Sequence, residues 1–212
     1  MLSNLLLDEL DKELERRGHR FVRYADDCNI YVRSERAGER VMTGVKEYLE
    51  RRLRLKVNEQ KSAVGKPSER KYLGYSFTNE KAARRRIAPE SVKRLKERVR
   101  EKTKRGRNLK VVIKELSEYL RGWGGYYGRT EWRSQLKELD QWIRRRLRRY
   151  VWQEWKRAGK RYRKLRKHGA TAKEAWFVIH FGPWRASRSK AVSRALPNAY
   201  FQGLGLYSLS GW

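Results

Sequence analysis

Apolar positions along the chain keep two different periods, and the changes between them divide it into elements. Leu6, Leu10 and Leu14 recur at every fourth position, one face of a helix over 3–17. Ser3 or Asn4 stands ready to cap that helix and Gly18 to stop it. The period then falls to two. Phe21-Val22-Arg23-Tyr24 and Cys28-Asn29-Ile30-Tyr31-Val32 are β-prone runs meeting at Asp26-Asp27, a hairpin with both carboxylates at its tip. Cys28, Ile30 and Val32 alternate with polar or amphipathic neighbours and predict one buried face. Val41, Val45, Leu49 and Leu53 form the stripe of a second helix, 36–54. Leu55 and Val57 begin a short strand that Ala63-Val64-Gly65 ends before Pro67. Residues 72–77, Tyr-Leu-Gly-Tyr-Ser-Phe, read as another strand pair or hairpin.

From Pro89 the helical period dominates. Helices are expected over 90–104 (Val92, Leu95, Val99), 109–121 (Val112, Leu116, Leu120) and 131–158 (Trp132, Leu136, Leu139, Ile143, Leu147, Val151). Gly122-Trp123-Gly124-Gly125-Tyr126-Tyr127-Gly128 reads as a corner between the last two. The remainder alternates short helices with Gly and Pro breaks. Thr171 and Glu174 form a capping-box pattern for a helix through 180. Gly182-Pro183-Trp184-Arg185 predicts a turn, and another short helix around Ala191, Ala195 and Leu196 ends at Pro197. The fold class is α+β: a helix, hairpin, helix and short strands over 1–80, then an all-α part over 81–212.

Charge separates the same two parts. The 212 residues carry 54 Lys and Arg against 24 Asp and Glu, a net +30. Residues 1–80 hold 17 basic and 14 acidic side chains, whereas 81–212 hold 37 and 10. A near-neutral part joined to a strongly basic one predicts a polyanionic partner for the second. With no run of about 18 apolar residues, nucleic acid is favoured over a membrane. Arg144, Arg145, Arg148 and Arg149 crowd the 131–158 helix, and Lys160, Arg161, Arg163, Lys164, Arg166 and Lys167 follow it. Basic residues so little balanced by acids suggest a phosphate track, and their interleaving with Trp, Tyr and Phe suits RNA, whose unpaired bases stack on rings. Taken singly, most of the eight Trp are expected in the core. Cys28 is the only cysteine, and His19, His168 and His180 are not spaced as metal ligands, so disulfide and zinc frameworks are not expected. The N-terminal stretch lacks the pattern of a signal peptide.

The chemistry-bearing candidates are Asp26 and Asp27. Adjacent acids at a tight turn repel, and a cation between them would relieve this. Mg²⁺ suits, since it is held by one or two carboxylates together with substrate phosphates, and such a pair could clamp the oxygens of a phosphoryl transfer. Asp is also simply a good turn former.

These residues carry a resemblance. Tyr24-Ala25-Asp26-Asp27, with Arg23 before it and Cys28-Asn29-Ile30-Tyr31-Val32 after, resembles the YADD motif of reverse transcriptases. Asn58 with Lys61-Ser62 resembles the next palm motif, and Leu73-Gly74 the one near the primer grip. Tyr119-Leu120-Arg121-Gly122-Trp123, the 131–158 helix, Trp184-Arg185 and Ala195-Leu196-Pro197-Asn198-Ala199-Tyr200 resemble the thumb, or maturase, domain. The chain as a whole is similar to the C-terminal half of a group II intron-encoded reverse transcriptase/maturase, most like the bacterial class C type.

The resemblance implies a partial reverse-transcriptase palm over 1–80 and a thumb/maturase domain over 81–212. It implies Mg²⁺ on Asp26 and Asp27 where the polymerase site is completed, and Lys61 near the phosphates of the incoming nucleotide. Tyr24, Ala25, Tyr72, Leu73 and Gly74 would then position primer and nucleotide. It also implies a third carboxylate on an earlier palm strand, which the 23 residues before Tyr24 are not expected to supply, so the chain is not expected to polymerise alone. Two functions compete. One is maturase-type binding of structured group II intron RNA that supports splicing; the other is half of a split RNA-directed DNA polymerase, completed by a separate N-terminal chain and holding an RNA/DNA hybrid. A basic RNA-packaging protein is a third reading. The exposed edge of the short palm predicts cover from a partner chain, RNA or a second copy. The setting implied is the nucleic-acid-containing cytoplasm of a bacterium, with no membrane association and no endonuclease motif.

Overall fold

The computed structural model describes residues 2–211, and the chain divides between Asn79 and Glu80 into two compact units. In the first, α1 (Leu2–Arg16) leads into a hairpin of β1 (Arg20–Tyr24) and β2 (Asp27–Tyr31), followed by α2 (Glu35–Arg51). The stop at Gly18 is as expected, with φ +70°, a left-handed conformation that glycine adopts without strain. The expected cap is not: α1 already begins at Leu2, and the Asn4 side chain accepts from Arg23 instead, at 3.3 Å. The Ser3 side chain lies outside the described residues. Leu10 and Leu14 are buried, whereas Leu6 is 40% exposed.

Ser34 caps α2, its hydroxyl accepting from the Ala37 amide at 3.2 Å. Glycine at position 38 is a packing requirement. A Cβ there would lie 2.6 Å from Cγ1 of Val64, so the 55–65 segment presses directly on α2. That segment forms no strand. It runs extended around a turn in which the amides of Lys61 and Ser62 donate to the Asn58 carbonyl at 3.2 and 3.0 Å. Side-chain packing, not a ladder, fixes it. The next turn is tight: Tyr72 and Tyr75 exchange amide–carbonyl bonds of 2.8 and 2.9 Å around Leu73 and Gly74, both at positive φ (50° and 77°). Positive φ at both central positions matches the right-handed twist of a hairpin, and β3 (Tyr75–Phe77) continues from it.

The second unit opens with β4 (Arg85–Ile87), and its first helices are α3 (Pro89–Lys102), α4 (Leu109–Tyr127) and α5 (Arg133–Glu154). The predicted stripes are the core: Leu95, Val99, Val112, Leu116, Leu120, Leu136, Ile143 and Leu147 are all at most 1% exposed. Where a corner was expected, α4 runs on through Gly122, Gly124 and Gly125. Three interior glycines cost roughly 1 kcal/mol each, but tertiary contacts hold the turn. The rings of Trp123 and Tyr127 meet at 4.4 Å, and a Cβ on Gly124 would lie 3.1 Å from the ring of Tyr207.

Asp140, buried on α5, anchors the C-terminal segment. It accepts from the amides of Leu209 and Ser210 (both 2.9 Å) and from the hydroxyls of Ser208 (2.8 Å) and Ser210 (2.7 Å). Beyond α5 lie α6 (Ala158–Lys167), α7 (Ala172–Val178), α8 (Pro183–Ala186), α9 (Lys190–Ala195) and α10 (Asn198–Gly203). The capping box is present at Thr171 and Glu174, although α7 ends at Val178 and not at 180. The turn expected at 182–185 is instead the single-turn α8, with Pro183 at its first position.

Candidate nucleic-acid interface and carboxylate hairpin

The hairpin pairs Arg20 with Tyr31 through Tyr24 with Asp27, leaving a two-residue loop of Ala25 and Asp26. Ala25 has φ 54°, a conformation that costs a non-glycine residue roughly 1–2 kcal/mol. Arg23 holds it there. Its Nη1 donates to the Ala25 carbonyl at 2.9 Å, while Nε and Nη2 clasp Asp11 of α1 at 2.7 and 2.5 Å. Asp11 holds the guanidinium charged and pushes its pKa up against the opposing effect of burial. A half-buried ion pair thus fixes the turn that displays the acids.

Asp26 and Asp27 are both exposed, and neither carboxylate has a hydrogen-bond or ion-pair partner among the described residues. Beneath them Tyr72 buries its hydroxyl without a hydrogen-bond partner. Burial raises the Tyr72 pKa, and the charges of Cys28 and Asp27 raise it further. Burial likewise pushes the Cys28 thiol up to about 11. The Tyr24 ring is 65% exposed beside the tip. Leu73 and Gly74 occupy the tight turn after Tyr72, and exposed Lys61 belongs to the Asn58 turn; no hydrogen bond or ion pair joins Lys61 to the tip among the described residues. An unneutralised carboxylate pair fits a hard divalent cation. It is a pair only: no group of three His, Cys, Asp or Glu close enough for a metal occurs among the described residues.

In the second unit, α5 presents Arg144, Arg145 and Arg148 to a basin of about 560 Å³, closed on its other side by Arg188, Ser193 and Asn198. No acidic side chain lines it. Arg148 is fixed in place, Nε donating to the Leu196 carbonyl at 3.0 Å and Nη2 to Asn198 at 3.2 Å. Burial lowers its pKa, and the positive charges of Arg144 and Arg145 add to that. Guanidiniums crowded against one another in this way are stabilised by an anion. Arg145 is exposed and without a partner among the described residues. Arg149 faces a separate hollow of about 180 Å³, which it shares with Lys104, Arg105 and Arg146.

The basic residues of α6 do not line the basin. Arg161 is turned inward, its NH groups on the carbonyls of Trp155 and Ile179 (both 2.9 Å) and its guanidinium 4.8 Å from the Trp152 ring. These bonds tie the C-cap of α5 to that of α7 and occupy donors that a phosphate would otherwise use. Arg166 donates to the Ala170 carbonyl at 3.0 Å, and Lys160 reaches the Glu154 carbonyl at 3.4 Å. Lys164 is half-buried, while Arg163 and Lys167 are exposed. Arg188 and Ser193 had no signal in the sequence, and Asn198 stood out only within the 195–200 stretch, since only folding brings them to a helix 40 or more residues upstream.

A charge-rich helical unit with an acid-free arginine basin is suited to a polyanion, and the first unit adds a displayed carboxylate pair. The comparisons sharpen this. Residues 92–169 match the family model described as group II intron, maturase-specific domain, and residues 1–77 match that of reverse transcriptase (RNA-dependent DNA polymerase). No curated protein matches the chain. The two matches, in this order, support a group II intron maturase of reverse-transcriptase lineage. Its α+β hairpin unit is the palm part and its helical unit the maturase, or thumb, part. Reverse transcriptases of this family generally use Mg²⁺. Among the described residues no helix is long and apolar enough to cross a membrane.

Proposed function

We propose that this chain binds folded group II intron RNA through the arginine basin of its second unit and supports splicing by stabilising the RNA, the protein doing no chemistry of its own. The observation that carries the reading is the basin: guanidiniums from Arg144, Arg145, Arg148 and Arg188 around one cavity, with hydroxyl and amide groups between them and no acid. Phosphodiesters are the ligand such a cavity suits. Arg163 and Lys167 of α6 and Arg149 in its separate hollow would extend the contact along the backbone. The setting is RNA-containing cytoplasm, bacterial by resemblance.

The test compares the affinity for a folded group II intron with that for a scrambled RNA of equal length at physiological salt. A preference of 10³ or more, the span between specific and non-specific nucleic-acid binding, supports the reading. Equal affinity rejects it.

A second reading has its own observation. The carboxylates of Asp26 and Asp27 are exposed and unneutralised, and Leu5, Leu6, Val22, Tyr24 and Tyr31 of the same unit are 40–72% exposed. In that reading a separate N-terminal chain covers this surface and supplies a third carboxylate. Asp26 and Asp27 would then hold Mg²⁺, which would neutralise phosphate charge. Lys61 would approach the nucleotide phosphates, and Tyr24, Ala25, Tyr72, Leu73 and Gly74 would position the primer end on an RNA/DNA hybrid. Polymerisation reconstituted with such a chain and surviving Asp26→Ala would remove these residues from the chemistry.

A further inference from the structure

Three large rings of the second unit stand in water. Trp176 is 68% exposed, Phe177 67% and Trp184 48%. Their helices are not loose, since Ala175, Val178, Ile179 and Ala186 are buried beside them. The rings alternate with cations. Phe177 meets Phe181 edge-on at 5.2 Å, and Arg185 lies 4.1 Å over Phe181. Arg188 lies 5.0 Å over Trp184, and the same Arg188 lines the arginine basin. Trp184 therefore adjoins the basin at a shared residue, and Phe177 reaches the same helix, α8, through Phe181 and Arg185. From 175 to 212 the chain has four basic and no acidic side chains.

We infer that this edge, formed by Trp176, Phe177 and Trp184, stacks unpaired bases of an RNA strand whose phosphates occupy the basin. The inference rests on the basin being a phosphate site. A duplex would present only its backbone and leave the rings unused. A single strand offers phosphates to the arginines and base faces to the rings, the combination that characterises single-strand sites. A protein partner would need acidic or continuous apolar chemistry, and the arginines between the rings disfavour the latter.

The experiment uses the full chain and fluorescence anisotropy with two RNAs of equal length at physiological salt: an unstructured strand and a blunt duplex. Stacking is worth about 1–3 kcal/mol per base, so Trp184→Ala, and separately the Trp176→Ala/Phe177→Ala pair, should weaken the unstructured strand at least fivefold. Duplex affinity and the salt slope should stay unchanged for the Trp176→Ala/Phe177→Ala pair, which touches no residue of the basin; Trp184→Ala also removes the ring under Arg188, so it should weaken the strand more than the duplex. Trp184→Phe, which keeps a ring, should restore most of the loss. Equal weakening of both RNAs, or of neither, overturns the inference, including the case in which the same variants abolish a protein–protein contact. Arg145→Glu keeps the two readings apart. If it weakens both RNAs while the ring variants do nothing, the stacking edge fails and the basin stands; if it has no effect, the basin reading fails as well.

Discussion

Replacing Arg145 by Ala should make RNA binding measurably less sensitive to salt. Four guanidiniums line the basin, and Arg145 is an exposed member with no partner among the described residues. Each phosphate neutralised on a single strand contributes about −0.7 to the slope of log K against log salt. Four such contacts give a slope of about −2.8, so raising salt from about 50 to 200 mM should cost roughly 50-fold in affinity from the basin alone. Without Arg145 the slope should be shallower by about 0.7, and the same rise should cost roughly 20-fold. Anisotropy titrations at several salt concentrations read both quantities. A lower affinity at every salt with an unchanged slope would mean that Arg145 acts through packing and touches no phosphate. That would refute the basin as an electrostatic site.

Other consequences concern the scaffold. Asp140→Asn leaves one acceptor oxygen where four donors converge and aims an amide NH₂ at the rest. It should cost about 3 kcal/mol in urea unfolding, and a cost under about 1 kcal/mol would show that the C-terminal segment is not held by this carboxylate. Arg23→Ala removes the clasp on Asp11 and the support of the Ala25 carbonyl. The pair is neither fully buried nor exposed, so about 2 kcal/mol is expected, read as roughly 30-fold faster amide exchange across the hairpin; unchanged exchange would contradict the clasp. Because burial lifts the Cys28 thiol to about 11, its neutral form persists well above the pH at which an exposed cysteine ionises. Alkylation of the folded protein should therefore be slow at pH 8 and accelerate only as pH approaches 11, whereas prompt labelling at pH 8 would contradict the burial.

What the sequence disclosed and what it withheld divide along the range of the interactions. The stripes through Leu95 and Val99, Leu116 and Leu120, and Leu136 to Leu147 were legible because a helix face is fixed within a few residues. The hairpin tip was legible for the same reason. The helical run through Gly122–Gly125 was not, because Tyr207, about 80 residues later, packs against Gly124. Residues 55–65 have the composition of a strand and form none: Val64 packs against Gly38 and the segment finds no ladder. Density of charge pointed to α5 as the place for a phosphate site, but not to which arginines were available. Arg161 looks the same as Arg163 in sequence, yet one satisfies buried carbonyls and the other faces water. The rings of Trp176 and Trp184 likewise give no sign in sequence of being outside the core, where Trp152 and Trp155 are buried.

The central claim is that the chain serves intron RNA through its basic unit and not through its carboxylates. The most direct test is in vitro splicing of a group II intron precursor at a Mg²⁺ concentration too low for the RNA alone, with wild-type chain, Asp26→Ala and Arg145→Glu. Splicing restored by the first two and not by the third is the predicted result. No restoration by the wild-type chain, or restoration lost with Asp26→Ala, would contradict it.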